Sequence, residues 1–263
     1  MPIKHVKIIG DGLSDYLVIK RLVSVIVGRY HPNEALIKFL EFDNTINLIN
    51  QMDKFIDEFK KSKKSHQSNQ IEHDPFYREF ASFKNGILTI LTKVVGTLEK
   101  EIYLSNRDIV IINTDSEISL FKKLNYFQDH EPWAYSLNAF LELVIEEFYD
   151  RKVSMGYDYQ SLPMILPLLL FPSIEILVAA CIECEGNFDQ EYRSLKAKPD
   201  LKQKVWETDS IHEAFETGMF DEILKEYIVP ENLNKIYKHI PEARKLIQIL
   251  GFSSCFPRYN TPA

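Results

Sequence analysis

The chain has 263 residues, of which 45% are hydrophobic, with 31 Lys and Arg against 38 Asp and Glu, a formal net charge of −7 and a pI near 5.6. That content is enough for one large core, or for a core with an appendage. The acidic balance excludes a highly basic, undirected nucleic-acid binder, but leaves room for an acidic metal site beside a local basic patch.

The three cysteines Cys181, Cys184 and Cys255 are too few and too irregular for a disulfide framework and fit a reducing cytoplasm. The opening Met-Pro-Ile-Lys-His has no apolar run behind it, so no signal peptide is expected. The most apolar stretch, 162–182, contains Pro163, Pro167, Pro172 and Glu175, which argues against a membrane span. The sequence therefore reads as a soluble, cytoplasmic protein with no membrane partner.

Val6-Lys-Ile-Ile9 is short and rich in β-branched residues, as a buried strand is. Gly10 and Gly12 break it. Ser14 is the expected N-cap of the helix that follows, and Asp15 in its first turn suits the positive end of the helix dipole. The helix buries Leu17, Val18, Leu22, Val25 and Ile26 on one face. This puts Asp11 at the carboxyl end of a strand, where open α/β sheets bind ligands. A dinucleotide fingerprint fails here, because Asp15 stands where its last Gly belongs. A Gly-Asp-Ser-Leu hydrolase turn also fails, because Gly12 stands where the nucleophilic Ser belongs. Two readings stay open: Asp11 and Asp15 as hard oxygen ligands of the kind Mg²⁺ prefers, or an ordinary turn with a solvated Asp.

Farther along, 35–43 is expected as a second strand and 45–61 as a helix. The polar stretch 60–74, with Lys60, Lys61, Lys63 and Lys64, reads as a solvated insertion. A helix is expected over 75–97. Asp108-Ile-Val-Ile-Ile-Asn113 lies in the strongest strand, 107–113, and runs straight into Thr114-Asp115-Ser116-Glu117 and a short helix over 118–124. An amphipathic helix over 134–149, a buried strand within 163–171 and a helix from Ser173 follow. Helices are then expected over 205–214, 220–228, 233–239 and 242–250. Strands alternating with helices indicate an α/β fold, with a largely parallel sheet, flanking helices and a helical C-terminal region. The expected division is 1–185 for the α/β domain and 186–263 for the helical region.

The first turn thus recurs: a buried strand, an acid at its carboxyl end, a helix. If the two strands are neighbours, Asp11, Asp115 and Glu117 converge, and carboxylates so placed repel one another unless a cation lies between them. Glu175, interrupting an apolar helix start, is either a further member of this set or an exposed helix-terminal acid.

Asp11-Gly-Leu-Ser-Asp15 resembles the first motif of the Toprim family, and Ile109-Val-Ile-Ile-Asn-Thr-Asp115-Ser-Glu117 resembles its second, a strand ending in Asp-x-Asp. The segment Pro167-Leu-Leu-Leu-Phe-Pro-Ser-Ile-Glu175-Ile-Leu-Val-Ala is similar to one found in uncharacterised bacterial Toprim-like proteins. The resemblance spans about residues 5–185. It implies Mg²⁺- or Mn²⁺-dependent cutting, rejoining or priming of DNA or RNA. Asp11 would be the general acid/base or a metal-side carboxylate, Asp115 and Glu117 would be metal ligands, and Asp15 and Glu175 would support them. It also implies a setting in defence against phages or mobile elements. Two positions depart from the family: Asp11 replaces its Glu, and Glu117 replaces its last Asp. These departures also allow a non-catalytic partner or regulatory subunit, assembling with a partner or with itself through the C-terminal helices. A metal-dependent phosphatase or mutase ranks below both, since it would need a downstream Asp-x-x-x-His and an Asp-His pair, and these are not found in usable order.

Other motifs are incomplete. Cys181-Ile-Glu-Cys184 has no second pair at zinc spacing and reads as a buried structural pair. His212-Glu-Ala-Phe-Glu216 lacks the second His of a zinc protease. No Walker-type Gly-rich loop is present. The aromatic tail around Phe252 and Tyr259 reads as core edge or an oligomer contact, with base stacking as the functional alternative.

Overall fold

The computed structural model describes residues 4–10, 12–32, 37–41, 75–115, 130–170, 173–182, 188, 198–208 and 211–251, with backbone alone for 75–83, 114–115, 130–140, 198–200 and 211. The chain alternates strands and helices: β1 (His5–Ile9), α1 (Leu13–Tyr30), β2 (Lys38–Phe39), α2 (Pro75–Glu101), β3 (Ile109–Asp115), α3 (His130–Ser154) and β4 (Met164–Leu170). A short α4 (Ile176–Ala179) leads to five C-terminal helices: α5 (Lys198–Trp206), α6 (Ile211–Glu216), α7 (Met219–Tyr227), α8 (Leu233–His239) and α9 (Pro241–Gly251). The four strands form one parallel sheet in the order β2-β1-β3-β4. This is the α/β architecture that the alternating pattern predicts.

Side chains leave a strand on alternate faces, so the apolar strands of a two-faced sheet feed two cores. Val6 and Ile8, Ile109 and Ile111, and Leu166, Leu168 and Leu170 meet α1 and the C-terminal helices on one face. Val110, Ile112, Ile165 and Leu169 meet α2 and α3 on the other. The C-terminal helices therefore share a core with α1. Arg21 Nε donates to Ile228 O at 3.0 Å, and His31 Nε2 pairs with Leu250 O at 2.9 Å. A β-carbon on Gly251 would lie 3.0 Å from the Tyr30 ring, so a larger residue there would push the ring aside.

Among the described residues β4 is an edge strand, and a tyrosine side chain meets the start of its free edge. The Tyr149 hydroxyl accepts from the Ile165 amide and donates to Pro163 O, both at 2.8 Å. Pro167, two residues on, has no amide hydrogen to leave bare on that side, which is where a strand tolerates proline.

The structure differs from the sequence reading at several element ends. Gly12, not Ser14, is the N-cap of α1, which starts at Leu13. β2 is two residues long rather than the nine of 35–43. The helix expected over 205–214 is two helices: α5 stops at Trp206, and Glu207 takes a positive φ of 56° before α6 begins. Apolar spacing continues across that break, and periodicity alone does not reveal it. The expected helices over 45–61 and 118–124 and the insertion over 60–74 lie outside the described residues. Among the described residues, no helix is long and apolar enough to cross a membrane.

Candidate ligand site at the carboxyl edge of the sheet

β1 and β3 pair directly, Val6 with Ile109 through Ile9 with Ile112. Because the strands are parallel, their carboxyl ends lie on one edge, and the two acidic turns follow from adjacent strands there. Asp115 closes β3, its backbone in register with Leu170 of β4. Asp11 and Glu117 lie outside the described residues, and Asp115 is described by its backbone alone.

Asp15 is buried, in the first turn of α1. A carboxylate there meets the positive end of the helix dipole. A β-carbon on Gly10 would lie 3.2 Å from Asp15 Cβ and 3.9 Å from Asn113 Nδ2, and one on Gly12 would lie 3.5 Å from Asp15 Oδ2. A side chain at Gly10 would crowd Asp15, so the glycine lets the end of β1 pack directly against the first turn of α1, near the Asn113 carboxamide. One residue along α1, burial and then the Glu41 carboxylate push the Tyr16 hydroxyl above its ordinary range. It stays a proton donor and reaches toward Leu40 O at 3.5 Å.

Asn113 is the site residue that sequence reading missed. It follows Ile109, Val110, Ile111 and Ile112, all buried, and by strand alternation it falls on the α1 face with Ile109 and Ile111. Its carboxamide is completely buried, and neither Nδ2 nor Oδ1 has a hydrogen-bond partner. Buried side-chain polar atoms are paired in the large majority of cases, so each exception calls for a reason. The available signal was an amide at the end of an otherwise unbroken apolar strand.

Glu175 is neither exposed nor unpaired. It is 1% exposed, accepting from Ser173 Oγ at 2.6 Å through one carboxylate oxygen and from Trp206 Nε1 at 3.2 Å through the other. Lys202 Nζ lies 3.8 Å from that second oxygen. The reading of Glu175 as an exposed helix-terminal acid is therefore corrected. Its described partners come from its own turn and from α5, and the structure does not bring it together with Asp15 or Asn113.

Among the described residues, no group of three or more His, Cys, Asp or Glu stands close enough to hold a metal ion. What the edge does show is two adjacent strand ends, each leading in sequence into acidic residues, and a buried amide without a partner, whose donor and acceptor atoms suit an oxyanion. Comparison of the chain with protein-family models, with curated proteins and with solved structures finds no match.

Proposed function

We propose that the chain performs Mg²⁺- or Mn²⁺-dependent phosphodiester chemistry on DNA or RNA in the cytoplasm, as a Toprim-like nuclease with a setting in phage or mobile-element defence. The observation that carries this reading is the pairing of β1 with β3, which makes the two acidic turns neighbours at one sheet edge. Asp11, Asp115 and Glu117 would hold the ion through carboxylate oxygens. When bound, such an ion neutralises phosphate charge and makes a water more acidic. The chain itself supplies a rigid frame: β1 and β3 are buried up to their carboxyl ends, and α1 fixes Asp15 near the end of β1.

A screen for cleavage of single- and double-stranded DNA and RNA with Mn²⁺ tests this reading, with Asp115→Ala as control. The variant is expected to lose about 100-fold or more in rate with its melting temperature nearly unchanged, since outer-sphere partners of a metal are already worth about 10–100-fold. A folded wild type that neither binds the ion nor cuts any of these substrates sinks the reading and favours the non-catalytic partner.

A further inference from the structure

We infer that Asn113 is a ligand-binding residue of this edge, and that its carboxamide takes a phosphoryl oxygen together with a hydrogen-bond donor that accompanies it. The inference deepens the proposed function and rests on its choice of a phosphate-bearing ligand.

Three observations carry it. First, the amide is wholly buried with both polar atoms unpaired. Leaving such groups unpaired is costly, and a shape-matched apolar residue at the same place is near neutral or stabilising. The four preceding residues of β3 are all buried and apolar, so a leucine here would suit the strand better than the asparagine does. Second, the carboxamide does not face a random part of the core. Its nitrogen lies 3.9 Å from the point where a β-carbon on Gly10 would sit, and Asp15 Cβ lies 3.2 Å from the same point. The unpaired amide, the Gly10 backbone and the first turn of α1 lie together. Third, this is the carboxyl edge of a parallel sheet, where ligands of open α/β folds bind.

The chemistry of the group narrows the ligand. A carboxamide offers two N–H donors and an acceptor oxygen and carries no charge. A neutral N–H donor stabilises an anionic oxygen through a charge-assisted hydrogen bond, and the carbonyl beside it can take a hydrogen-bond donor of the same ligand. Inorganic phosphate near neutral pH presents both anionic oxygens, which accept from Nδ2, and a P–OH group, which donates to Oδ1. In a diester the second partner would be a water carried with it.

The test compares wild type with Asn113→Leu and Asn113→Ala in the full chain. Inorganic phosphate binding is measured by calorimetry with and without Mn²⁺, Mn²⁺ binding is measured alone, and the melting temperature is taken without ligand. Expected are phosphate binding by wild type that weakens by about tenfold or more in both variants, as loss of a hydrogen bond to a charged group implies, and Mn²⁺ binding that is unchanged. Asn113→Leu is also expected to melt about 2–4 °C above wild type, since an unpaired buried amide has gone. The inference is overturned if wild type binds no phosphate in either condition, if the folded Asn113→Ala binds it as wild type does, or if Asn113→Leu folds but melts lower. The last outcome marks a structural amide satisfied by a trapped water. Failure of the proposed function reads differently: Mn²⁺ does not bind, while phosphate still binds through Asn113.

Discussion

Two buried polar side chains of this protein are in opposite situations. Both oxygens of Glu175 are satisfied, by Ser173 and by Trp206, 31 residues farther along. Replacing Glu175 with Leu leaves the indole N–H, the Ser173 hydroxyl and Lys202 without their partner, so it should destabilise by about 2–4 kcal/mol, in the range for a broken buried polar network. Urea denaturation checks this, and a Glu175→Leu protein as stable as wild type would contradict it. Asn113, with no partner, should respond in the reverse direction. Cys181 makes a third case: burial pushes its thiol up to about 12, only partly opposed by Lys235. A thiol raised in the folded state stays protonated while the unfolded thiol ionises, so it lowers stability as pH rises from about 9 toward 12. In a Cys184→Ser, Cys255→Ser background, Cys181 should not react with an ionic thiol reagent at about pH 8 until the protein unfolds, because the thiolate is the reactive form. Rapid native-state labelling would contradict its burial. None of these pairings was legible in the sequence, because the partners of Glu175 and the isolation of Asn113 depend on tertiary packing.

Elements were more legible than their ends. β1, β3 and β4 announced themselves as short apolar runs because both faces of the sheet are buried, and the long helices showed their apolar stripes. The end of α5 at Glu207 and the start of α1 at Gly12 were not legible, since backbone turns set them rather than a change in apolar spacing. Nor could the sequence show what meets the free edge of β4. Tyr149→Phe removes both hydrogen bonds at that edge, and a loss of about 1–3 kcal/mol is expected, read by thermal melting. An unchanged melting temperature would mean the hydroxyl is replaceable by water. Between α2 and α3, hydrogen bonds from Lys84 and then Arg151 hold the Glu147 carboxyl below its ordinary range. A carboxylate depressed in the folded state adds stability above its unfolded pKa and loses it as pH falls through its folded value. Glu147→Gln should therefore melt slightly lower than wild type near neutral pH, with the gap closing in acid. A gap that widens in acid would contradict the assignment.

The whole molecule depends on its C-terminal helices for one of its two cores. The sequence indicated a helical region here, but not the surface its helices cover, since an apolar stripe suits a sheet, another helix or a second chain equally. In the structure Ala243, Leu246, Ile247 and Leu250 of α9 are buried in the core that includes α1 and β4. At roughly 1.5–3 kcal/mol for each of the three large side chains, their burial is worth about as much as the net stability of a typical domain, roughly 5–15 kcal/mol. A chain ending at His239 should accordingly lose cooperative unfolding by circular dichroism. A sharp melt near that of wild type would instead make the helical region an independent appendage.

The central claim concerns the sheet edge, and calorimetric titration of Mn²⁺ into wild type and Asp115→Ala tests it most directly. Wild type is expected to bind the ion, and Asp115→Ala to lose that binding while remaining folded. Binding equal in both proteins, or none in wild type, would contradict a metal site at the ends of β1 and β3.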